Sequence, residues 1–371
     1  MKSIVFTGGG TGGHIFPGLA IIEEFLKKSD LSVYWIGSSR GVDRELVSGA
    51  GISFKGIPTG KLRRYASFQN FTDIFRIAGG FFVSLGYLLK DRPLLVFSKG
   101  GFVSVPVCCA AWVLRIPVFT HECDFSPGLA TRINSLFAKK ILVTYDETKK
   151  FFSPSKQKKA VVVGNPVRSA FYSAHSDAGR IFLGADKSGL PILLVLGGSL
   201  GARQVNELVS RSLKELCRFF IVVHQTGPSH FDQTELYDDP ETAGRYKPYP
   251  FIRDEMADVL ASASLVVARA GANTVWECAA AGKPMILIPL EKGSSRGDQV
   301  ENAHFFETRG AAVSLTGENA SAEKLCAVVS NLAQNPDALA AMASASARLI
   351  QANPAQIIAD MLIETTIQGP V

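Results

Sequence analysis

Ile4-Val-Phe-Thr-Gly-Gly-Gly-Thr-Gly-Gly-His14 carries a short apolar run straight into a glycine cluster, and Ile192-Leu-Leu-Val-Leu-Gly-Gly-Ser-Leu-Gly201 does the same in the second half of the chain. A helix-length segment follows each. Unbroken apolar runs of this length suit parallel strands covered on both faces. Outward from these two stretches the pattern continues. Ser3–Thr7, Ser32–Ile36, Leu94–Phe97, Pro117–Thr120, Ile141–Thr144 and Ala160–Val163 read as strands of the first half. Ile192–Leu196, Phe219–His224, Leu265–Ala268, Met285–Ile288 and Ala311–Ser314 read as strands of the second. Strands alternating with helices give an α/β fold with parallel sheets, and 371 residues make room for two such domains. The junction falls at Gly164-Asn-Pro-Val-Arg168, which assigns 1–165 to the first domain and 166–345 to the second. Near the C-terminus, Asn353-Pro-Ala-Gln reads as an N-cap followed by Pro at the first helical position. Pro354–Glu364 is then a last helix, and Ile357, Ile358, Met361 and Leu362 fall at helical spacing, so it packs on something.

Composition narrows the class. The chain is 47% hydrophobic and 19% charged, with 34 Gly and 18 Pro, as in an ordinary globular protein. Its longest uncharged apolar stretches, Ile77–Leu89 and Gly100–Leu114, have 13 and 15 residues. A spanning helix needs about 20. The first apolar run is too short for a secretory leader, which points to the cytoplasm. Six Cys with no C-x-x-C pair and no His at zinc spacing read as reduced, buried thiols. Charge is uneven. Residues 1–168 hold 23 Lys+Arg against 11 Asp+Glu, a net of +12, while the rest of the chain has a net of −6. A basic half suits an anionic partner: nucleic acid, a phosphate-bearing substrate or an anionic membrane. No helix-turn-helix, zinc-finger or aromatic RNA-binding motif accompanies it, which argues against nucleic acid.

The glycine clusters are where a ligand is expected. Gly8-x-Gly10-x-x-Gly13 matches the dinucleotide fingerprint literally, but many ligands use such turns. A nicotinamide enzyme also needs an acid at the end of the second strand. That strand ends Ile36-Gly-Ser-Ser-Arg40, without one, although Arg40 suits a 2′-phosphate. No Gly-Lys-Ser/Thr follows either cluster, which excludes a P-loop. With Lys99-Gly-Gly-Phe102 there are three glycine-rich turns at strand ends. Ligands of such sheets bind there, in a cleft between two domains. His14 closes the first turn, and a free imidazole pKa of about 6.5 suits it to take a proton. The alternative is a histidine that only orients the loop. The basic stretch Lys61–Arg76 leads into Ile77–Leu89 and Lys90, with Phe68, Phe71, Ile74, Phe75, Phe81, Phe82 and Leu85. It reads either as a patch resting on an anionic bilayer or as a core helix with a solvated basic edge.

Gly9-Gly-Thr-Gly-Gly-His-Ile-Phe-Pro-Gly-Leu-Ala20 closely resembles the opening of the MurG family of bacterial cell-wall glycosyltransferases. Further motifs follow in the family's order. They are Gly100-Gly-Phe102, His121-Glu-Cys-Asp124, Pro127-Gly-Leu129, Gly164-Asn-Pro-Val-Arg168 and Gly197-Gly-Ser-Leu-Gly201. His224-Gln-Thr-Gly227, Phe251-Ile252, Arg269–Glu277 and Asp298-Gln-Val-Glu-Asn-Ala303 complete the set, which covers roughly residues 3–315. The resemblance implies a GT-B fold: two Rossmann-like, doubly wound parallel-sheet domains facing across a cleft. The acceptor and membrane belong to the first, the UDP-GlcNAc donor to the second. A C-terminal helix at about 346–371 packs back on the first domain.

The resemblance also implies roles. The donor is bound by Thr11, Gly12, Gly13, Asp124, Arg168, Ser199, Ile252, Ala272, Asn273, Thr274, Val275, Trp276, Glu277 and Gln299. Within that set the Glu277 carboxylate takes the ribose hydroxyls, the Ile252 backbone the uracil edge, Ser199 the diphosphate and Gln299 the GlcNAc ring. Gly100 and Gly101 form the acceptor phosphate loop. His14 is the catalytic base, and Glu122 is its rival or its orienting partner. Cys123-Asp124 stands where the family has Gln-Asn, and Asp298 where some members have a second Gln. The implied reaction is inverting transfer of GlcNAc to the MurNAc 4-hydroxyl of lipid I, giving lipid II and UDP, at the cytoplasmic face of the membrane. No metal and no cofactor are implied, with stimulation by Mg²⁺ left open. The implied partners are lipid I, an anionic membrane surface and other proteins of cell-wall synthesis. The alternatives are a related glycolipid glycosyltransferase, a UDP-GlcNAc epimerase and a UDP-sugar-binding protein without catalysis.

Overall fold

The computed structural model describes residues 2–60, 68–198, 201–231, 240–291 and 297–368. The chain divides into two compact units, residues 1–168 with 352–371, and residues 169–351. The cuts fall three and six residues beyond the expected 165 and 345. Asn165, Pro166 and Val167 are buried within the first unit. At the other cut, a helix at Pro336–Arg348 continues past 345 inside the second.

The first unit holds a parallel sheet of β1 (Ser3–Thr7), β2 (Ser32–Ser38), β3 (Ser53–Ile57), β4 (Leu95–Ser98), β5 (Val118–Glu122), β6 (Lys140–Val143) and β7 (Ala160–Val162). Their order is β3-β2-β1-β4-β5-β6-β7. The helices used below are α1 (Gly12–Leu26), α2 (Asp43–Gly49), α3 (Phe68–Asp91), α4 (Ser104–Val113) and α5 (Leu129–Phe137). In β1, Ile4 and Phe6 face one side and Val5 the other, the alternation of any strand. Ile4 and Phe6 join Ile15, Ile21, Ile22 and Phe25 of α1 in one core layer. Val5 joins Val103 and, from α4, Val107, Cys108 and Ala111 in the opposite one. Gly18 lets α1 lie directly on the Trp35 ring, 2.5 Å from where a Cβ would stand.

The last helix, Pro354–Gln368, lies in the first unit. Asn353 caps it, its Oδ1 accepting the Ala355 N–H at 3.0 Å. Ala355, Ile358, Ala359 and Leu362 complete the core layer of α1. Ile357 stays 37% exposed, so the buried stripe differs from the one expected from spacing: Ala355 and Ala359 join Ile358 and Leu362, with Met361 partly buried. Helix α3 runs 24 residues, longer than the apolar stretch inside it. No helix among the described residues is long and apolar enough to cross a membrane.

The second unit repeats the winding. Its strands are β8 (Ile192–Leu196), β9 (Ile221–Gln225), β10 (Tyr246–Tyr249), β11 (Leu265–Ala268), β12 (Met285–Leu287) and β13 (Ala312–Ser314). They are parallel in the order β10-β9-β8-β11-β12-β13. Helices α8 (Arg203–Phe219), α10 (Ala272–Ala280) and α11 (Asp298–Thr308) flank the sheet. The two strands that sequence reading missed, β3 and β10, are the corresponding edges. Both are only half-covered, and β10 carries Pro248, which a central strand excludes.

In both sheets the winding reverses once, between β1 and β4 and between β8 and β11. The glycine-rich turns after β1, β4 and β8, and the turn after β11, therefore all sit at switch points. Ligands of open α/β sheets bind at such points.

Behind β9 lies a buried polar chain. His224 Nε2–H donates to Asn206 Oδ1 at 3.1 Å, its Nδ1 accepts from the Tyr246 hydroxyl at 3.0 Å, and Asn206 Nδ2 donates to the Thr226 carbonyl at 2.8 Å. Burial holds the His224 imidazole neutral and lowers its pKa from 6.5 to about 4. Between these values the unfolded chain binds the extra proton, so stability rises with pH there and is lost as pH falls from about 6.5 to 4. The full loss is about 3 kcal/mol. Urea denaturation of wild type and His224→Gln between pH 7 and 4.5 tests this. The wild-type midpoint falls further with acid; equal falls would contradict the assignment.

Candidate functional site

In the first unit, two glycine turns are pressed together. Gly9 and Gly101 have positive φ, +153° and +77°. A Cβ on Gly101 would stand 2.5 Å from the Gly9 carbonyl and 3.0 Å from the His14 ring. One on Gly9 would overlap the Asp43 carboxylate. Only glycine permits this approach. Asp43 is wholly buried at the start of α2. It accepts the N–H groups of Gly10 and Ser38, each at 2.9 Å. Burial raises its carboxyl pKa, and the two N–H bonds pull the other way. From β2, Trp35 Nε1–H donates to the Gly8 carbonyl at 3.0 Å. The first turn is thus shaped by two side chains outside it.

Thr11 is the N-cap of α1, so Gly12, Gly13 and His14 form its first turn, where backbone N–H groups and positive potential gather. The half-buried His14 ring lies against Gly100 and Gly101. That second turn is braced from below. Ser98 Oγ accepts the Gly100 N–H at 3.1 Å, Asn134 Nδ2 donates to both Ser98 and Ser104, and Ser104 Oγ donates to the Gly101 carbonyl at 2.8 Å. Arg168 lies over the Phe16 ring at 5.2 Å, beside the start of α1. It stands at the end of the first stretch of the first unit, where the junction motif Gly164-Asn-Pro-Val-Arg168 ends.

Glu122 is 4% exposed. Its Oε1 accepts the N–H groups of Cys123 and Asp124 at 3.0 and 3.1 Å, and its Oε2 that of Gly128 at 2.9 Å. A carboxylate engaged in this way organises the 122–128 turn, and it is poorly placed to remove a proton. Glu122, Cys123 and Asp124 each bring a potential ligand atom within 4.8 Å of the others. With both Glu122 oxygens bound to backbone, this donor set suits a metal ion badly.

The second unit assembles its turns with amides. Gln225 Nε2 donates to the Gly198 carbonyl at 3.3 Å, and its Oε1 accepts the Ile252 N–H at 2.9 Å. Gln299 Oε1 accepts the Leu290 N–H at 2.9 Å, and Asn302 Nδ2 donates to the Ala270 carbonyl at 3.0 Å. Gln225 thus ties the turns after β8 and β10, and α11 ties those after β11 and β12. Gly271 is the N-cap of α10. Ala272, Val275 and Trp276 are buried, Trp276 edge-on to Phe306 at 5.3 Å. Asn273, Thr274 and Glu277 are half-buried, and their i, i+3 and i+4 spacings put them along one edge of the helix. Ser199 lies outside the described residues.

The candidate residues therefore fall into two groups. His14, Thr11–Gly13, Gly100, Gly101, Glu122, Asp124 and Arg168 stand in the first unit; Ile252, Ala272–Glu277 and Gln299 stand in the second. Sequence reading named no role for Asp43, Trp35, Asn134, Gln225 or Asn302. Gln225 and Asn302 sit inside quoted motifs. Asp43 and Trp35 lie outside all of them.

Comparison with known proteins agrees with this geometry. Residues 4–143 match the glycosyltransferase family 28 N-terminal domain, and residues 192–361 the glycosyltransferase family 28 C-terminal domain. A protein of Treponema denticola named UDP-N-acetylglucosamine–N-acetylmuramyl-(pentapeptide) pyrophosphoryl-undecaprenol N-acetylglucosamine transferase is 55% identical over 98% of this chain and 97% of its own length. One of the same name from Legionella pneumophila is 41% identical over 90% of each chain. The crystal structure of Acinetobacter baumannii MurG superposes with a TM-score of 0.75 at 28% identity, over 98% of this chain and 100% of that one. With both of its domains matched and relatives of this identity along nearly its whole length, the chain belongs to glycosyltransferase family 28, among the UDP-N-acetylglucosamine–N-acetylmuramyl-(pentapeptide) pyrophosphoryl-undecaprenol N-acetylglucosamine transferases.

Proposed function

We propose that this chain transfers GlcNAc from UDP-GlcNAc to the MurNAc 4-hydroxyl of lipid I, giving lipid II and UDP with inversion at the anomeric carbon. The observation that carries the reading is the 55% identity, along essentially the whole chain, to a transferase of that name. The second unit holds the donor. Glu277 accepts hydrogen bonds from the two ribose hydroxyls, which a carboxylate does well because it accepts twice. The Ile252 N–H is taken by Gln225, so Ile252 offers its carbonyl oxygen to the uracil N3–H. Turn 197–201, with Ser199, and the first turn of α10 meet the diphosphate, and Gln299 turns its amide NH₂ to the sugar. The first unit presents the acceptor at Gly100 and Gly101.

His14 takes the proton from the acceptor hydroxyl as its oxygen attacks the anomeric carbon. The bond from that carbon to the UDP oxygen breaks with its electron pair, and UDP leaves. Charge building on the leaving diphosphate is met by backbone N–H groups and by Arg168, all positioned before the reaction. Glu122 keeps the 122–128 turn in shape and takes no proton. The chemistry proposed here uses no metal and no cofactor.

The same unit supplies a surface for the lipid. Ile74, Phe75 and Phe82 of α3 are 55%, 64% and 67% exposed, Trp112 of α4 is 57% and Leu136 of α5 is 60%. Helix α4 packs against both α3 and α5, so these residues stand on neighbouring elements. Lys90, Arg115, Arg132 and Lys139 are exposed on or beside the same helices. Exposed apolar side chains among basic ones suit the cytoplasmic face of an anionic bilayer, each cation adding about 1 kcal/mol. Phe68 and Phe71 begin α3, and the basic residues at 61–64 lie outside the described residues.

UDP release from UDP-GlcNAc with and without a lipid I analogue, with product mass, tests the function. The expected result is acceptor-dependent UDP and a lipid heavier by one GlcNAc residue, with His14→Ala lowering kcat about 10²-fold or more. Donor turnover without acceptor would instead indicate an epimerase or hydrolase. Binding without turnover would contradict catalysis. For the surface, Phe75→Ser/Phe82→Ser binds several-fold less to phosphatidylglycerol vesicles in co-sedimentation than wild type. Equal binding would remove these residues from the membrane contact.

A further inference from the structure

Among the described residues Lys99 is the only lysine or arginine that is buried outright, at 1% exposed. It follows β4, the strand between β1 and β5. Its backbone N–H donates to the Thr7 carbonyl at 2.8 Å, and a Cβ on Gly8 would stand 3.3 Å from its own Cβ. Lys99 is thus wedged beneath the first glycine turn and opens the second. Its ammonium reaches His121 Nδ1 at 2.9 Å. His121 Nε2 lies 2.9 Å from the Gly164 carbonyl, which can only accept, so Nε2 carries the proton and Nδ1 accepts from Lys99. The imidazole is neutral. Among the described residues no carboxylate comes within 4.0 Å of the Lys99 ammonium. A buried charge whose only partner is neutral is strongly unfavourable for folding. Such an arrangement persists where function uses it. An anion would balance that charge, and the adjoining turns have the backbone geometry for one.

We propose that Lys99 is the buried countercharge for the diphosphate of the acceptor bound at the Gly8–Gly10 and Gly100–Gly101 turns, and so sets the preference of the first unit for diphosphate-linked acceptors. This rests on the function proposed above. The charge acts through the turns without direct contact, and low surrounding polarity keeps it effective at a distance.

Two variants separate charge from hydrogen bonding. Lys99→Met removes both; Lys99→Gln keeps a donor for His121 and removes the charge. In each, the KM for a lipid I analogue rises about tenfold, with a smaller change in kcat and an unchanged KM for UDP-GlcNAc. Inorganic diphosphate, titrated calorimetrically with UDP saturating the donor side, binds about tenfold more weakly to both than to wild type. The thermal midpoint of Lys99→Gln, which keeps a donor for His121, does not fall, because removing a buried charge without a counter-ion relieves strain on the fold. Wild-type acceptor KM and diphosphate affinity in Lys99→Gln would overturn the proposal and leave a hydrogen-bonding role. A fall in donor affinity together with the thermal midpoint would reduce Lys99 to a structural residue. Absence of acceptor-dependent turnover in wild type would sink the function instead, while the diphosphate titration still decides the role of Lys99.

Discussion

A glycine turn has no side chains to hold it, and in this protein every turn at a switch point is held from behind. Asp43 fixes the turn after β1, Ser98 and Asn134 the turn after β4, Glu122 the one after β5. Gln225 and Asn302 do the same after β8, β10 and β11. Except for Asn134, which acts through the Ser98 and Ser104 hydroxyls, each bond joins a side chain directly to backbone. Once those backbone groups are satisfied, the turn cannot reorganise without leaving a buried polar atom unpaired, which costs about 1–3 kcal/mol each. A ligand then meets N–H groups that are already oriented, and stabilisation of developing charge needs just that.

The two units meet this constraint with different chemistry. The first uses carboxylates, which only accept and so gather N–H groups: two for Asp43, three for Glu122. The second uses amides, which join a carbonyl to an N–H, as Gln225 does between Gly198 and Ile252. The difference follows the charge of the halves. Residues 1–168, which hold both carboxylates, carry a net of +12. Lys99 belongs to the same picture: it adds positive charge under turns that Asp43 on one side and Ser98, Ser104 and Asn134 on the other have already shaped.

Much of the fold could be read from the sequence, because its central strands are buried on both faces and so appear as unbroken apolar runs. Strands β3 and β10 could not. At an edge the selection for apolar residues is halved, and Tyr246-Lys-Pro-Tyr249 looks like a loop until β9 pairs with it. The glycine turns and the His14 position were equally plain. The residues that brace the turns were not, since a side-chain bond to distant backbone leaves no spacing to recognise. Asp43 lies 33 residues from the Gly10 it holds, and Gln225 lies 27 from both Gly198 and Ile252. Arg168 was recognised as a site residue from its motif, but its packing on the Phe16 ring, 152 positions earlier in the chain, left no spacing to recognise.

The claim that buried side chains set the ligand-binding turns is tested most directly at Gln225, whose side chain makes no other hydrogen bond among the described residues. The measurement is the dissociation constant for UDP, by calorimetry, of wild type and Gln225→Leu, a change close to isosteric that removes both bonds. The account predicts about tenfold weaker binding, the worth of one or two hydrogen bonds, with the heat of binding reduced. An unchanged dissociation constant in a folded variant would mean that the turns hold their shape without it, and would contradict the account.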